Sequence, residues 1–131
     1  MLTARQIMTD QVITISADAQ IDQAIEVLLT NKISGLPVTD QQGQLIGILT
    51  EFALLAIAYD SHIRCDKVSD HMTTNLFTVD INAPISTVAD LCISHRVRRV
   101  PVVDEGRLVG LIARRDVLRA ICECKVPVCS A

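Results

Sequence analysis

The chain has 131 residues, of which 50% are apolar and 21% charged, and its formal net charge is -3. This length suffices for one ordinary domain or two very small ones that share a core, and the apolar content excludes intrinsic disorder. The negative charge and the near absence of aromatic residues (two Phe, one Tyr and no Trp) exclude a nucleic-acid binder that relies on overall attraction or on base stacking.

The predicted elements occur twice, because an offset of 64 residues aligns the two halves of the chain. One residue is missing from a turn in the second copy, where the offset becomes 63. The aligned pairs include Met8 and Met72, Thr14 and Thr78, Pro37 and Pro101, and Gly47 and Gly110. Nearly the whole chain therefore consists of two copies of one structural unit.

Each copy opens with a β-branched run that predicts a strand, "QVITIS" at 11–16 and "NLFTVD" at 75–80. An amphipathic helix follows, with Asp18 or Asn82 as the predicted cap and Pro84 suited to a first helical position. The spacing of Ile21, Ala24 and Leu28 places apolar side chains on one face of this helix.

The rest of each copy reads as a β-hairpin followed by a second helix. "GLPVTD" and "RVPVVD" predict its first strand, and "QLIGILT" and "RLVGLIA" predict the returning strand. The second helices are predicted from Phe52 to Ala58 and from Asp116 to Cys122. The fold class is therefore α/β (mixed α+β), with two βαββα repeats packed sheet to sheet in pseudo-twofold symmetry.

The repeats divide the chain into four segments. We assign 1–60 to the first repeat, 61–68 to a polar linker, 69–122 to the second repeat and 123–131 to a Cys-containing tail. A unit of this size has little core of its own, so the two repeats are expected to bury a common interface.

The five cysteines are an odd number, and residues 1–12 lack the apolar region typical of a signal peptide. We therefore expect reduced thiols and a cytoplasmic location. No apolar run approaches the roughly 20 residues that a membrane helix needs, so no membrane insertion is expected. Cys122, Cys124 and Cys129 raise the alternative of thiol sensing or metal binding. Their spacing supplies no clear set of four ligands, so we assign no metal site.

Three pairs of matching segments resemble the tandem cystathionine-β-synthase (CBS) domain pair, or Bateman module. They are "IMTDQVITIS" and "HMTTNLFTVD", "GLPVTD" and "RRVPVVD", and "GILTEFALL" and "GLIARRDVL". The resemblance implies a regulatory module that binds AMP, ADP, ATP or S-adenosylmethionine between the repeats, often as a homodimer that modulates another protein. It covers nearly the whole chain, which is expected to be a stand-alone protein. No catalytic constellation stands out, so neither an enzyme nor a required cofactor is expected.

In this family the returning strand ends in Gly, two apolar residues and Ser or Thr, followed two residues later by Asp. The hydroxyl and the helix N-terminus offer hydrogen bonds to phosphate, and the Asp can accept from both ribose hydroxyls. Each copy here keeps one half of the pair. The first has Thr50 but Ala53, and the second has Ala113 but Asp116.

The resemblance implies two clefts, each built from both repeats. The nucleoside cleft is predicted to bind ribose and adenine, and Lys32, Arg114 and Arg115 are candidate helpers there; its residues are Val12, Ile13, Ser34, Gly35, Pro37, Leu111 and Asp116. The anion cleft is predicted to bind phosphate through its arginines; its residues are Ile48, Thr50, Leu76, Phe77, Arg98, Arg99 and Pro101.

Structural roles remain open for these residues. Asp116 and Thr50 are equally suited to cap a helix, and Arg98 and Arg99 to form a solvated basic face. Arg98 shares the face of Val100 unless the strand begins after it. The function is therefore either a sensor of an adenosine-containing ligand with an unknown regulated protein, or a ligand-free scaffold that dimerises and binds other proteins.

Overall fold

A computed structural model describes residues 2–123. The chain forms two compact units, which we call unit I (Ile13–Leu76) and unit II (Met1–Val12 with Phe77–Ala131). The elements in chain order are α1 (Ala4–Ile7), β1 (Ile15–Ser16), α2 (Ile21–Asn31), β2 (Gly35–Thr39), β3 (Leu45–Thr50), α3 (Glu51–Ile57), β4 (Val79–Asp80), α4 (Ile85–His95), β5 (Arg99–Asp104), β6 (Arg107–Ala113) and α5 (Arg114–Glu123).

Each unit contains one three-stranded sheet, in the order β1-β2-β3 or β4-β5-β6. The first strand runs parallel to the second, and the second and third form an antiparallel hairpin. This mixed α+β fold confirms the predicted class and the βαββα element order. The first strands are shorter than predicted, because only Ile15–Ser16 and Val79–Asp80 pair with the neighbouring strand.

Each unit has its own apolar core of aliphatic side chains. In unit I, the buried face of α2 carries Ile21, Ala24 and Leu28, as its periodicity predicted. In unit II, α4, β5 and β6 supply fully buried side chains, which include Val88, Val100, Val102 and Ile112. None of the helices within residues 2–123 combines the length and apolar character that crossing a bilayer requires.

The caps of α2 and α4 differ from the prediction. Their N-cap residues are Gln20 and Pro84, and the Gln20 N–H donates to Gln23 Oε1 at 2.9 Å. Asp18 and Asn82 lie in turns further upstream, where the Asn82 N–H donates to Asp80 Oδ2. Because a tight turn follows the first strand of each unit, both helices begin a few residues later than predicted.

The Met-Thr segment ahead of each repeat pairs with the edge strand of a sheet. In unit I, Thr73 and Ile48 exchange backbone hydrogen bonds of 2.9 and 3.0 Å. In unit II, Thr9 and Leu111 form the matching pair, at 2.8 and 2.9 Å. Residues 2–12 therefore belong to the unit that contains the second repeat.

The segment that follows α3 docks on the start of α2. Val68 is fully buried in the unit I core, and its N–H donates to the Ala19 carbonyl at 2.7 Å. The Ile21 N–H, at the first turn of α2, donates to the Asp66 carbonyl at 2.9 Å. Unit I thus depends on a segment that the sequence analysis assigned in part to a polar linker.

Candidate functional site

In unit I, the predicted site residues meet where β2 begins and β3 ends. Gly35 lies opposite Thr50 and Pro37 opposite Ile48 in the antiparallel register. The Ser34 carbonyl accepts a 2.8 Å hydrogen bond from the Glu51 N–H, so the chain entering β2 is tied to the start of α3. Five residues that the resemblance divided between two clefts therefore lie beside one another.

Thr50 is the N-cap of α3. Its hydroxyl accepts a hydrogen bond of 3.1 Å from the Ala53 N–H, which satisfies one of the unpaired donors at the helix start. Residue 53 carries no carboxylate, so this end of unit I lacks a ribose acceptor at the position where the family has its Asp.

The corresponding end of unit II is rich in charge. Arg99 lies opposite Ala113 and Pro101 opposite Leu111. The Arg98 carbonyl accepts a 2.9 Å hydrogen bond from the Arg114 N–H. Strand β5 begins at Arg99, so Arg98 precedes the strand and lies outside its alternation.

Asp116 is the third residue of α5. Its Oδ2 accepts a hydrogen bond of 3.2 Å from the Ala113 N–H, and its Oδ1 lies 3.8 Å from Arg119 Nη1. The side chain remains 29% exposed. Thr50 and Asp116 thus supply complementary halves of a capping box, one in each unit. Capping uses part of the hydrogen-bonding capacity of each group and leaves further capacity for a ligand.

Four exposed arginines surround the start of α5, a ten-residue helix whose N-terminus adds a partial positive charge. They are Arg98, Arg99, Arg114 and Arg115. Among the described residues, Arg98 and Arg115 have no carboxylate partner within 4.0 Å. Burial raises the pKa of the Cys92 thiol, and the positive charge of Arg114 acts in the opposite direction. This end of unit II can therefore attract an anion.

His95 was not among the predicted site residues, but its ring stacks on that of the predicted site residue Phe77. The ring centroids are 4.1 Å apart and the rings are inclined by 21°. His95 ends α4 whereas Phe77 precedes β4, so no sequence pattern relates the two residues. Phe77 is 37% exposed and Ile13 is 39% exposed, while Val12 and Leu76 are half-buried.

A cavity of about 490 Å³ lies between α1 and α5 of unit II. It includes Asp116 but none of the other predicted site residues. Its lining is formed by Leu2, Gln6, Ile7, Asp116, Arg119, Ala120 and Glu123. Asp116 therefore borders two surfaces, this cavity and the arginine-rich start of α5, and a ligand test must distinguish them.

Residues 2–123 contain no cluster of three or more His, Cys, Asp or Glu side chains that could hold a metal ion. Cys65 and Cys122 are exposed free thiols, and Cys92 is half-buried. Cys124 and Cys129 lie outside the described residues. The alternative of thiol sensing or metal binding by Cys122, Cys124 and Cys129 therefore depends on two residues that lie outside residues 2–123.

The two caps predict opposite responses to substitution. Thr50→Ala removes a capping oxygen and should lower the free energy of unfolding by about 1 kcal/mol. Ala113→Ser adds the missing half of the box and should raise it by about 0.5 to 1 kcal/mol. Urea unfolding measures both, with Thr14→Ala, an exposed threonine, as the control. Equal changes in Thr50→Ala and Thr14→Ala would contradict the role of Thr50 as a cap.

A family model for the CBS domain matches residues 4–60 and 68–123. The chain therefore belongs to the CBS domain family and carries two CBS domains in tandem. This finding confirms the resemblance that the paired segments showed.

Solved structures and curated relatives agree with this assignment. The structure of CBSX2 in complex with AMP has 30% sequence identity and a TM-score of 0.85, and the match covers 95% of this chain and 99% of that chain. CBSX2 from Arabidopsis thaliana also matches, at 28% identity and a TM-score of 0.82. The CBS domain-containing protein DDB_G0289609 of Dictyostelium discoideum is 34% identical over 95% of this chain and 94% of its own length.

Several relatives are much longer. The chain is 37% identical to the inosine-5'-monophosphate dehydrogenase of Methanocaldococcus jannaschii over 117 residues, which are 88% of this chain. It spans only 23% of that enzyme. It likewise spans 42% of the protein MJ1225 of the same organism and 23% of the homoserine O-acetyltransferase of Methanococcoides burtonii. A match over this share of the enzyme assigns no catalytic activity to the chain.

Proposed function

We propose that the protein is a homodimeric regulatory sensor. It binds an adenosine-containing nucleotide at the end of unit II where β5 and α5 begin, and nucleotide binding changes its affinity for a regulated protein. The observation that carries the proposal is the hydrogen bond between the Arg98 carbonyl and the Arg114 N–H, which brings the predicted anion residues next to the helix that carries Asp116.

The chemistry of this end suits a nucleotide. Arg98 and Arg99 offer forked donors to phosphate oxygens, and the N-terminus of α5 adds its backbone donors. Asp116 offers a partly exposed carboxylate to the ribose hydroxyls. The family resemblance implied different clefts for the arginines and for Asp116, whereas the proposed site contains all three residues.

A single nucleotide per chain is expected. Unit I offers Thr50 and Ser34 at the equivalent end but has Ala53 where a ribose carboxylate would lie. The AMP bound by CBSX2, a relative of nearly the same length, supports adenosine as the ligand class. S-adenosylmethionine shares the ribose but lacks the phosphate, so an arginine-dependent site should favour AMP, ADP or ATP.

The proposed role is regulatory rather than catalytic. The matches to CBSX2 and to the Dictyostelium protein extend over nearly the full length of those chains, and the match to the dehydrogenase covers a minor part of it. A regulatory effect requires the ligand to bind two states of the protein with different affinities. Binding to a regulated protein with and without nucleotide would measure that difference.

Thermal unfolding with adenosine, AMP and ATP tests the proposed site. A ligand at 100 times its dissociation constant adds about 2.7 kcal/mol of stability, which should raise the midpoint by about 10 °C. Asp116→Asn keeps an oxygen for the Ala113 N–H but loses the charge. It should lower the affinity for all three ligands at least tenfold, whereas Asp90→Asn, an exposed control on α4, should not.

Two further variants locate the ligand. Replacing both Arg98 and Arg99 with Gln should weaken AMP and ATP while leaving adenosine nearly unchanged, because adenosine has no phosphate. Gln6→Ala should have no effect, since Gln6 lines only the cavity between α1 and α5. A loss in Gln6→Ala without a loss in the arginine variant would place the ligand in that cavity. The absence of any shift with all three ligands would overturn the sensor.

The ligand-free scaffold is the second candidate. It is favoured by the absence of Asp at residue 53 and of a hydroxyl at residue 113, which leaves each repeat with half of the family pair. In that case the protein would dimerise and bind its partner equally well with and without nucleotide. A one-to-one isotherm with AMP or ATP would exclude this candidate.

A further inference from the structure

The cavity between α1 and α5 is formed by two elements that are both fixed to the unit II core. Ala4 of α1 is fully buried, and its N–H donates to the Ala83 carbonyl at 2.8 Å. On α5, Val117 and Ala120 are buried in the same core. The volume of about 490 Å³ lies within the range of small-molecule sites, about 300 to 1,000 Å³. The walls of the cavity are therefore held in place without a ligand.

This part of α5 differs from the matching part of unit I. At the offset of 63, Ala120 corresponds to Ile57, a larger side chain that packs against the unit I core. The charged residues of the α5 wall correspond to Ala53, Ala56 and Asp60, so unit I has one charge where unit II has three. The small side chain and the charges beside it thus distinguish unit II from its repeat.

The α5 wall carries a row of alternating charges. Asp116, Arg119 and Glu123 lie three and four residues apart, so they follow one another along one side of the helix. Asp116 Oδ1 is 3.8 Å from Arg119 Nη1, an exposed ion pair that leaves Arg119 available to a ligand. Within residues 2–123, Glu123 has no cation within 4.0 Å. A complementary ligand therefore presents a cation, an anion and a second cation in that order.

The rest of the lining supplies apolar surface and a further donor. Leu2 and Ile7 are partly buried and pack against the unit II core beside Ala120. Gln6 Oε1 accepts the Thr3 N–H at 2.8 Å, which leaves the Gln6 Nε2 hydrogens to donate to a ligand. The cavity therefore offers an apolar surface for an aliphatic chain and two side chains, those of Gln6 and Arg119, that can donate to a carboxylate.

We propose that this cavity binds an α-amino acid with a basic side chain. Arg119 and Gln6 hold its carboxylate, and Asp116 accepts from its α-ammonium group. Its aliphatic stem covers the apolar surface, and its terminal cation pairs with Glu123. The ligand's single excess positive charge balances the single excess negative charge of the α5 row. A neutral amino acid would leave Glu123 unpaired, and a diamine would place a cation beside Arg119.

Asp116 also belongs to the proposed nucleotide site. Its Oδ2 accepts from the Ala113 N–H, so Oδ1 is the atom that both ligands need. A basic amino acid should therefore lower the affinity for the nucleotide, and linkage requires the nucleotide to lower the affinity for the amino acid by the same factor. This coupling rests on the proposed function, whereas the amino-acid site stands without it.

Isothermal titration of the full chain with L-lysine tests the site, at fixed ionic strength because exposed charges are screened by salt. Two analogues test the charge pattern. L-Norleucine keeps the carboxylate and the stem but lacks the terminal cation, and pentane-1,5-diamine keeps both cations but lacks the carboxylate. Both should bind at least about tenfold more weakly than L-lysine.

Two variants locate the ligand. Ala120→Ile places the side chain of unit I in the cavity and should abolish L-lysine binding without removing a charge. Glu123→Gln should lower the affinity for L-lysine to that for L-norleucine, because the terminal cation then has no partner. Glu26→Gln, an exposed control on α2, should bind L-lysine as the wild type does. Circular dichroism checks folding, and the exposed Glu123 keeps the test decisive if Ala120→Ile unfolds unit II.

The outcomes separate this inference from the proposed function. Absence of L-lysine binding, or equal binding by the wild type and Glu123→Gln, would overturn the amino-acid site, while thermal shifts with AMP test the nucleotide independently. If L-lysine binds as expected and AMP does not, the inference stands and the nucleotide sensor is wrong. If both bind but saturating L-lysine leaves the AMP affinity unchanged, the two ligands do not share Asp116 and the coupling is wrong.

Discussion

Val68→Asp is expected to unfold unit I, with a loss of at least about 4 kcal/mol in the free energy of unfolding. Val68 is fully buried, and a carboxylate at that position would lose its hydration without gaining a partner. Its backbone N–H is bonded to the Ala19 carbonyl at 2.7 Å, so the segment cannot easily turn the new charge towards water. The milder Val68→Ala should cost about 2 kcal/mol, because it removes two buried methyl groups and leaves a cavity.

Urea unfolding followed by circular dichroism measures the effect of both substitutions. Lys67→Ala is the matched control at the neighbouring residue. The Lys67 side chain is 62% exposed and lies 3.8 Å from Asp18 Oδ1, a surface ion pair expected to contribute little. Equal losses in Val68→Asp and Lys67→Ala would show that the segment after α3 does not support the unit I core.

The repeat in the sequence was enough to predict the element order. Once Met8 was aligned with Met72, each helix and hairpin strand was supported by two segments of sequence. Strand length was not predictable in this way. The β-branched run covers residues 11–16, but only its last two residues pair with β2. The role of Val68 was also hidden, since a single apolar residue in a polar segment gives no periodic pattern.

The sequence indicated candidate site residues but did not predict how the fold groups them, and their role in binding stays a prediction. The family resemblance assigned Arg98 and Asp116 to different clefts. Their proximity depends on the antiparallel register, which places Arg99 opposite Ala113 and ties Arg98 to Arg114. Similarly, the sequence alone did not show that Thr50 and Asp116 each form one half of a capping box. The hydrogen bonds at the start of each helix show these roles.

Gly110→Ala is expected to lower the free energy of unfolding by about 3 kcal/mol. A Cβ atom at residue 110 would lie 2.5 Å from Met8 Sδ, 2.9 Å from Met8 Cγ and 3.0 Å from the Thr9 carbonyl oxygen. That carbonyl accepts the Leu111 N–H at 2.9 Å, so relieving the clash would disturb a backbone hydrogen bond. Gly47→Ala should cost less, about 1 to 2 kcal/mol, because its close contacts are all with the side chain of Met72.

Gly35 is the matched control for both substitutions, since the nearest atoms to a Cβ at this position are 3.9 Å away and Gly35→Ala should change stability by less than about 0.5 kcal/mol. Double-mutant cycles identify the obstacle in each unit. Adding Met72→Ala to Gly47→Ala should recover most of the loss caused by the new methyl group. Adding Met8→Ala to Gly110→Ala should recover only part of it, because the Thr9 carbonyl remains in place. Full recovery in both units would show that the two methionines alone require glycine at these positions, and that the Thr9 backbone moves freely.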